Sequence, residues 1–198
     1  MPRPTLYFIR HGETDWNRER RLQGQHDIPL NALGRVQASR CGEVLRGLLG
    51  GVRPASEYPY VSSPLSRARE TMELMRAAMG LEPGAYQTDS RLMEMSFGRW
   101  EGFTFAELQA REAEGLAERE RDKWGFVLPG GESYAQLQVR VRSWYEGIEC
   151  DTVVSAHGGV CRVLMASLNL VEPMSASIGN VGQGCVYVFN DNGMSRHE

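Results

Sequence analysis

Thr5-Leu6-Tyr7-Phe8-Ile9-Arg10-His11-Gly12-Glu13-Thr14 is the stretch on which the reading of this chain turns. Residues 5–9 form a short apolar, β-branched and aromatic run, the pattern of a buried strand. Gly12 breaks the run, so Arg10 and His11 are expected at the strand's carboxyl end. In open α/β sheets ligands bind along that edge. An imidazole can attack phosphorus, a guanidinium can grip two phosphate oxygens, and a glycine lets backbone N–H groups approach closely. The same tripeptide also suits a structural histidine beside a surface arginine, so its meaning depends on the rest of the chain.

A second segment repeats the pattern. Thr152-Val153-Val154-Ser155-Ala156 reads as a buried strand and runs into His157-Gly158-Gly159. In a parallel sheet the two histidines would share one edge and face each other across a pocket. Between them, Tyr58-Pro59-Tyr60-Val61-Ser62 reads as a third strand. Ser62-Ser63-Pro64 then reads as a helix start, with serine near the cap and proline in the first turn. Leu65, Ala68, Met72, Met75 and Met79 give that helix its apolar stripe, with Arg67 and Arg69 lying off it. Arg67 would thus reach the same edge close to a helix N-terminus. Two arginines, two imidazoles and helix-end N–H groups make an anion site with donors from several directions.

The remaining elements alternate. Asn31 is a plausible N-cap for a helix carrying Leu33, Val36, Cys41, Val44, Leu45 and Leu48, closed by Gly50-Gly51. Thr88 to Met95 reads as a polar connection and Phe97 to Gly102 as a tight aromatic loop. Thr104 caps a short helix, and Glu112 to Lys123 reads as a solvated, mixed-charge face. Pro129 to Ser133 is a turn before a helix with Tyr134, Leu137, Val141, Trp144 and Ile148 at steps of three and four. A helix from Val160 to about Leu168 and a final strand at Cys185 to Phe189 complete the pattern. Helices alternating with strands predict a three-layer α/β/α sandwich with a mostly parallel central sheet.

The 198 residues, 41% hydrophobic and 24% charged, suit one domain over 1–198, with 95–131 as a lid or insertion over the site. A formal charge of −3 argues against nucleic-acid and anionic-membrane partners. No run approaches the ~20 apolar residues of a membrane helix, and Met1-Pro2-Arg3-Pro4 precedes the first strand without an apolar leader. Cys41, Cys150, Cys161 and Cys185 form no C-x-x-C pair and read as reduced thiols of a cytoplasmic protein, Cys161 as a half-buried hydrophobe. His11, His26, His157 and His197 show no metal-ligand spacing, so no metal or other cofactor is expected. His26 and His197 read as exposed bystanders.

Taken together, these stretches resemble the histidine phosphatase superfamily, the phosphoglycerate-mutase-like proteins, and most closely its small broad-specificity phosphatases. The matching segments are residues 10–17, Leu22-Gln23-Gly24 with Asp27 to Leu30, Ser62 to Ala68, Leu92 to Glu94 with Phe97 to Gly102, Pro129 to Ser133, and His157 to Gly159. They fall in the family's order across nearly the whole chain. The resemblance implies His11 as phosphate-accepting nucleophile and Glu94 as proton donor. It implies Arg10, Arg67 and His157 as phosphate-binding catalytic residues, and Asn17, Gln23 and Gly24 around the phosphate pocket. The expected ligand is a small phosphate ester, the reaction metal-independent hydrolysis through phosphohistidine, and the protein a monomer or homodimer. The rivals are a phosphoglycerate mutase and a non-catalytic phosphoester-binding module. Mutases follow the acid with Arg-His-Tyr-Gly, whereas Glu94 is followed by Met95-Ser96-Phe97-Gly98, without a basic pair for a second acidic group.

Overall fold

The computed structural model describes residues 3–51 and 53–198; Met1, Pro2 and Val52 lie outside the described residues. Strand β1 (Leu6–Arg10) is central. It pairs in parallel with β4 (Thr152–Ala156), and β4 with β2 (Tyr60–Ser62). A two-residue strand, β3 (Gln87–Thr88), extends this parallel set at the start of the stretch that reads as a polar connection. On the other side β1 pairs antiparallel with β5 (Val186–Asn190), and β5 with β6 (Gly193–His197). The order is β3-β2-β4-β1-β5-β6, a mixed, mostly parallel sheet. The strand expected to be last is therefore followed by another. β6 carries no strand signal in the sequence, because its residues are mostly exposed and lack apolar alternation.

Side-chain alternation along β1 builds the three layers. Leu6 and Phe8 are fully buried on one face, in a cluster with Leu137, Val141, Val160 and Leu164. Those partners come from α6 (Tyr134–Tyr145) and α7 (Gly158–Ser167). Ile9 points the other way, into a cluster with Cys41, Leu45, Met72 and Met75 from α2 (Ala32–Leu49) and α3 (Ser66–Ala78). Burying each such large apolar side chain stabilises the fold by about 1.5–3 kcal/mol. The four-residue α1 (Asp15–Arg18), α4 (Phe105–Arg111), α5 (Ala113–Arg121) and α8 (Pro173–Ile178) complete the eight α-helices among the described residues.

The caps read at Asn31 and Thr104 are present: Asn31 Oδ1 accepts from Gly34 N, and a capping box at Thr104 starts α4. Capping boxes at Thr14 and Ser133, which the sequence reading does not name, start α1 and α6. Two details of the helices differ from expectation. In α2 the buried face is Gly34, Ala38, Cys41, Gly42, Leu45 and Leu49, while Leu33 and Val36 are exposed. The glycines make that face narrow enough for close packing. A Cβ on Gly34 would lie 2.1 Å from Glu13 O, and one on Gly12 would lie 2.2 Å from Gly34 O. The start of α2 is therefore pressed against the turn that follows β1. The other difference is in α3, which begins at Ser66 rather than at Ser62–Pro64; its N-cap Leu65 makes no side-chain cap bond. Ser62 instead ends β2, Ser63 follows it, and Arg67 is wholly buried rather than off the stripe.

Candidate active site

The register of β1 and β4 sets the two histidines side by side. Arg10 is level with Ala156, and His11 N donates to Ala156 O at 2.9 Å. Ser63 N donates to Ser155 O at 2.9 Å, so the end of β2 joins the same edge. The His11 and His157 rings stand 5.2 Å apart, tilted by 59°. Both are buried. His11 lies beside a cavity of about 130 Å³ lined by Arg10, Asn17, Gln23, Gly24, Arg67, Glu94, Phe97, Gly158 and Arg162 among others. That volume is small beside the ~300–1,000 Å³ of pockets that enclose a whole ligand. It suits a phosphoryl-sized recess with the rest of a ligand extending outward.

His11 Nδ1 lies 2.7 Å from Gly12 O. A carbonyl only accepts, so Nδ1 carries the proton and Nε2 keeps the lone pair. Burial, with the Arg67 and Arg10 guanidiniums beside it, holds His11 well below the ordinary imidazole range. The ring is therefore neutral at pH 7 with Nε2 free to act as a nucleophile. His157 is likewise neutral, lowered by burial and by Arg67, His11 and Arg10. Its Nε2 hydrogen-bonds Ser63 Oγ at 2.7 Å, and its Nδ1 has no protein partner.

Arg67 uses its two terminal nitrogens on the carbonyls of His26 and Gly24, both at 2.7 Å. It thus holds the Gly24–His26 rim. Burial lowers its pKa to about 10, so it stays charged at neutral pH. Arg10 Nη1 donates to Val181 O at 2.5 Å, and burial, with Arg162 close by, lowers its pKa too. The Nε atoms of Arg10 and Arg67 and Gln23 Oε1 are, like His157 Nδ1, buried without a partner. A buried donor without an acceptor costs about 1–3 kcal/mol. The orphaned N–H groups around this recess are what an anion would satisfy.

Glu94 follows the 3-10 turn Ser90–Leu92. Its carboxylate accepts from Gly159 N at 3.1 and 3.2 Å and from Met95 N at 2.8 Å, at the start of α7. A Cβ on Gly159 would lie 2.2 Å from Glu94 Oε1, so the second glycine after His157 makes this approach possible. Asn17 Oδ1 accepts from Thr14 N at 3.2 Å and from Gln183 Nε2 at 3.0 Å, and Gln183 also donates to His11 O at 3.1 Å.

The site residues named from the sequence line this recess, apart from His157, whose buried ring stands beside that of His11. Three contributors have no place in the sequence reading. Gln183 sits in an irregular loop with no pattern to flag it. Arg162 stands four residues after Gly158 on α7, a helical spacing that could have revealed it. Arg140 donates to the carbonyls of Arg91, Met93 and Glu94 and pairs with Glu132 at 2.9 Å. In the sequence it is one more surface arginine. His26 is less of a bystander than expected, because its Nδ1 lies 2.5 Å from Glu101 Oε2 and Glu101 Oε1 accepts from Gln25 N and Phe97 N. Cys161 is fully rather than half buried, its thiol pushed up to about 12 by burial. Of the aromatics between residues 97 and 126, Trp100 belongs to the core, and Phe103, Trp124 and Phe126 pack against it; only Phe97 lines the recess. Among the described residues no three His, Cys, Asp or Glu side chains gather as a metal site, and no helix is long and apolar enough to cross a membrane.

The chain is similar in sequence and fold to known proteins. TTHB049 from Thermus thermophilus is 34% identical, with a TM-score of 0.74 over 98% of this chain and 99% of that one. A mycobacterial glucosyl-3-phosphoglycerate phosphatase, solved in complex with VO3, is 30% identical, with a TM-score of 0.77 over 93% and 90%. The probable phosphoglycerate mutase GpmB of Salmonella choleraesuis is 37% identical over 147 residues, 70% of this chain. The match spans about 60% of that relative's length. The profile of the histidine phosphatase superfamily (branch 1) matches residues 6–195. With paired strand-end histidines, arginines around one recess and a fold shared with these proteins, the chain belongs to the histidine phosphatase superfamily.

Proposed function

We propose that the protein is a metal-independent phosphomonoesterase acting on a small phosphate ester through a phosphohistidine. The observation that carries this is the His11 Nδ1–Gly12 O bond, which leaves a neutral ring with Nε2 as nucleophile. His11 Nε2 attacks phosphorus and the ester P–O bond breaks. The leaving oxygen takes a proton from the Glu94 carboxyl. Water then attacks the phosphohistidine, Glu94 takes the water's proton, and inorganic phosphate leaves with His11 restored. Arg10, Arg67 and His157 stabilise the charge on the equatorial oxygens. This is the task a divalent cation performs at other phosphoryl-transfer centres. Asn17, Gln23 and Gly24 shape the rim, and of residues 95–131 Phe97 lines the recess while Met95, Trp100, Leu108, Leu116 and Leu128 pack into the core.

Mutase chemistry is the second reading, favoured by the relatives named as probable phosphoglycerate mutases. A mutase returns the phosphoryl group to a second hydroxyl of the same substrate, whereas a phosphatase gives it to water. Incubation with phosphoglycerate, followed by phosphorus NMR, separates the two. Free phosphate accumulating without an isomeric ester is expected. An isomer formed faster than phosphate would make the protein a mutase. Hydrolysis of p-nitrophenyl phosphate that survives exhaustive EDTA separates both from a non-catalytic binding module and from a metal-dependent enzyme.

A further inference from the structure

Residues 179–184, between α8 and β5, hold several parts of the recess at once. Gly179 O accepts from Arg162 Nε at 2.9 Å, and Val181 O accepts from Arg10 Nη1 at 2.5 Å. The Gln183 amide donates to His11 O at 3.1 Å and to Asn17 Oδ1 at 3.0 Å. The loop is itself fixed from behind. Gly182 N donates to the Tyr187 hydroxyl at 2.6 Å. Gly184 has a φ of +71°, and a Cβ there would lie 3.0 Å from Gln37 Cγ. Gln37 Oε1 in turn accepts from Glu13 N at 2.8 Å. The turn after His11 and the loop carrying Gln183 therefore share one support on α2.

Backbone groups at both ends dictate how the two amides point. A peptide N–H only donates and a carbonyl only accepts. Thr14 N meets the Asn17 amide at 3.2 Å, so the atom it meets is the oxygen. His11 O meets the Gln183 amide, so the atom there is the nitrogen. The Gln183 NH2 group thus directs its two hydrogens at His11 O and Asn17 Oδ1. Asn17 Oδ1 also accepts from the Thr14 hydroxyl at 3.2 Å, which leaves its lone pairs fully engaged. What the Asn17 amide can offer the recess it lines is Nδ2, a donor. Asn17 lies in α1, and a helix of four residues has little stability of its own. Gln183 gives it a second anchor beyond the Thr14 cap.

We propose that Gln183 is a positioning residue for the phosphoryl transfer: its bridge from His11 O to Asn17 Oδ1 keeps Asn17 Nδ2 presented to the phosphoryl group. This rests on the phosphatase reading above. Gln183 itself touches no reacting atom and acts through Asn17. The role needs a donor with two hydrogens on one atom. A glutamate at this position would have the same shape but would face two acceptors. It would turn the Asn17 amide over and bring its oxygen toward the anion.

Turnover of p-nitrophenyl phosphate and inhibition by vanadate test it, in the native protein, Gln183→Ala, Gln183→Glu, Asn17→Ala and the Asn17→Ala, Gln183→Ala double variant. Gln183→Ala should lower kcat/KM and weaken vanadate inhibition by about fivefold, the scale of one hydrogen bond. Gln183→Glu should do at least as much. On top of Asn17→Ala, the Gln183→Ala change should cost less than about twofold, because the group it positions is already gone. A residue that merely held the loop would show its full cost in both backgrounds. Native kcat/KM in Gln183→Ala or Gln183→Glu overturns the proposal, as does a full Gln183→Ala cost in the Asn17→Ala background. The native protein keeps the two readings apart. Native turnover with unaffected Gln183 variants defeats the positioning role alone, whereas no turnover and no phosphohistidine in the native protein defeat the phosphatase reading and this one with it.

Discussion

Single atoms decide the chemistry proposed here. Nδ1 of His11 is committed to a carbonyl, and the carboxylate of Glu94 sits on an N–H group in the first turn of a helix. If Glu94 is the proton donor, its importance scales with how badly the leaving oxygen needs a proton. Glu94→Gln should slow phosphoenzyme formation from an alkyl phosphate by roughly a hundredfold or more. With p-nitrophenyl phosphate, whose phenolate leaves unaided, the same step should slow far less. Single-turnover kinetics measure this, and equal slowing for both substrates would move the acid elsewhere. Gly159→Ala should mimic the effect while leaving the Glu94 side chain chemically intact, because its Cβ would displace Glu94 Oε1 from its place. A Gly159→Ala enzyme with native leaving-group dependence would show that Glu94 works from another position.

At the scale of elements, the recess is assembled by segments that meet only after folding. Arg140 on α6 binds three carbonyls of one loop, those of Arg91, Met93 and Glu94, and pairs with Glu132. Burial alone would raise the Glu132 carboxyl, but Arg140 and the Ser96 N–H hold it below the usual range. Arg140→Ala should therefore destabilise the protein by roughly 2–3 kcal/mol, the scale of losing hydrogen bonds to a charged group. Urea unfolding measures it, and a loss under about half a kcal/mol would show that the loop holds its own shape. This network marks the limit of what is legible in the sequence. The His-Gly turns at the ends of β1 and β4 and the caps at Asn31 and Thr104 are local patterns that can be read directly, whereas the start of α3 has no side-chain cap to mark it. The roles of Arg140, Arg162 and Gln183 depend on which surface each faces after packing, and no short-range pattern encodes that. The exposed Leu33 and Val36 mislead for the same reason. α2 packs through its glycines and Ala38 as well as its larger side chains, so hydrophobicity alone finds Cys41 and Leu45 but adds the exposed Leu33 and Val36 and misses the glycines.

For the molecule as a whole, the two buried histidines couple stability to pH. Both are held below their ordinary value in the folded state, chiefly by burial. Below about pH 6.5 the unfolded chain takes up protons at these positions while the folded protein does not. The stability they permit is thus full above about pH 6.5 and is lost as the pH falls, by up to about 1.4 kcal/mol per pH unit for each histidine. Denaturant unfolding at about pH 7.5, 6.5 and 5.5 should give a declining stability whose slope is reduced in His157→Asn. An unchanged slope would mean that His157 is protonated in the folded state.

The claim on which the rest depends is that the phosphoryl group passes through His11. Brief exposure to a radiolabelled phosphomonoester, quenching in base and peptide mapping test it directly. The predicted result is an acid-labile, base-stable label on His11, formed at least as fast as steady-state turnover and absent from His11→Ala, which is itself inactive. A label on any other residue, or near-native turnover by His11→Ala, would contradict the account.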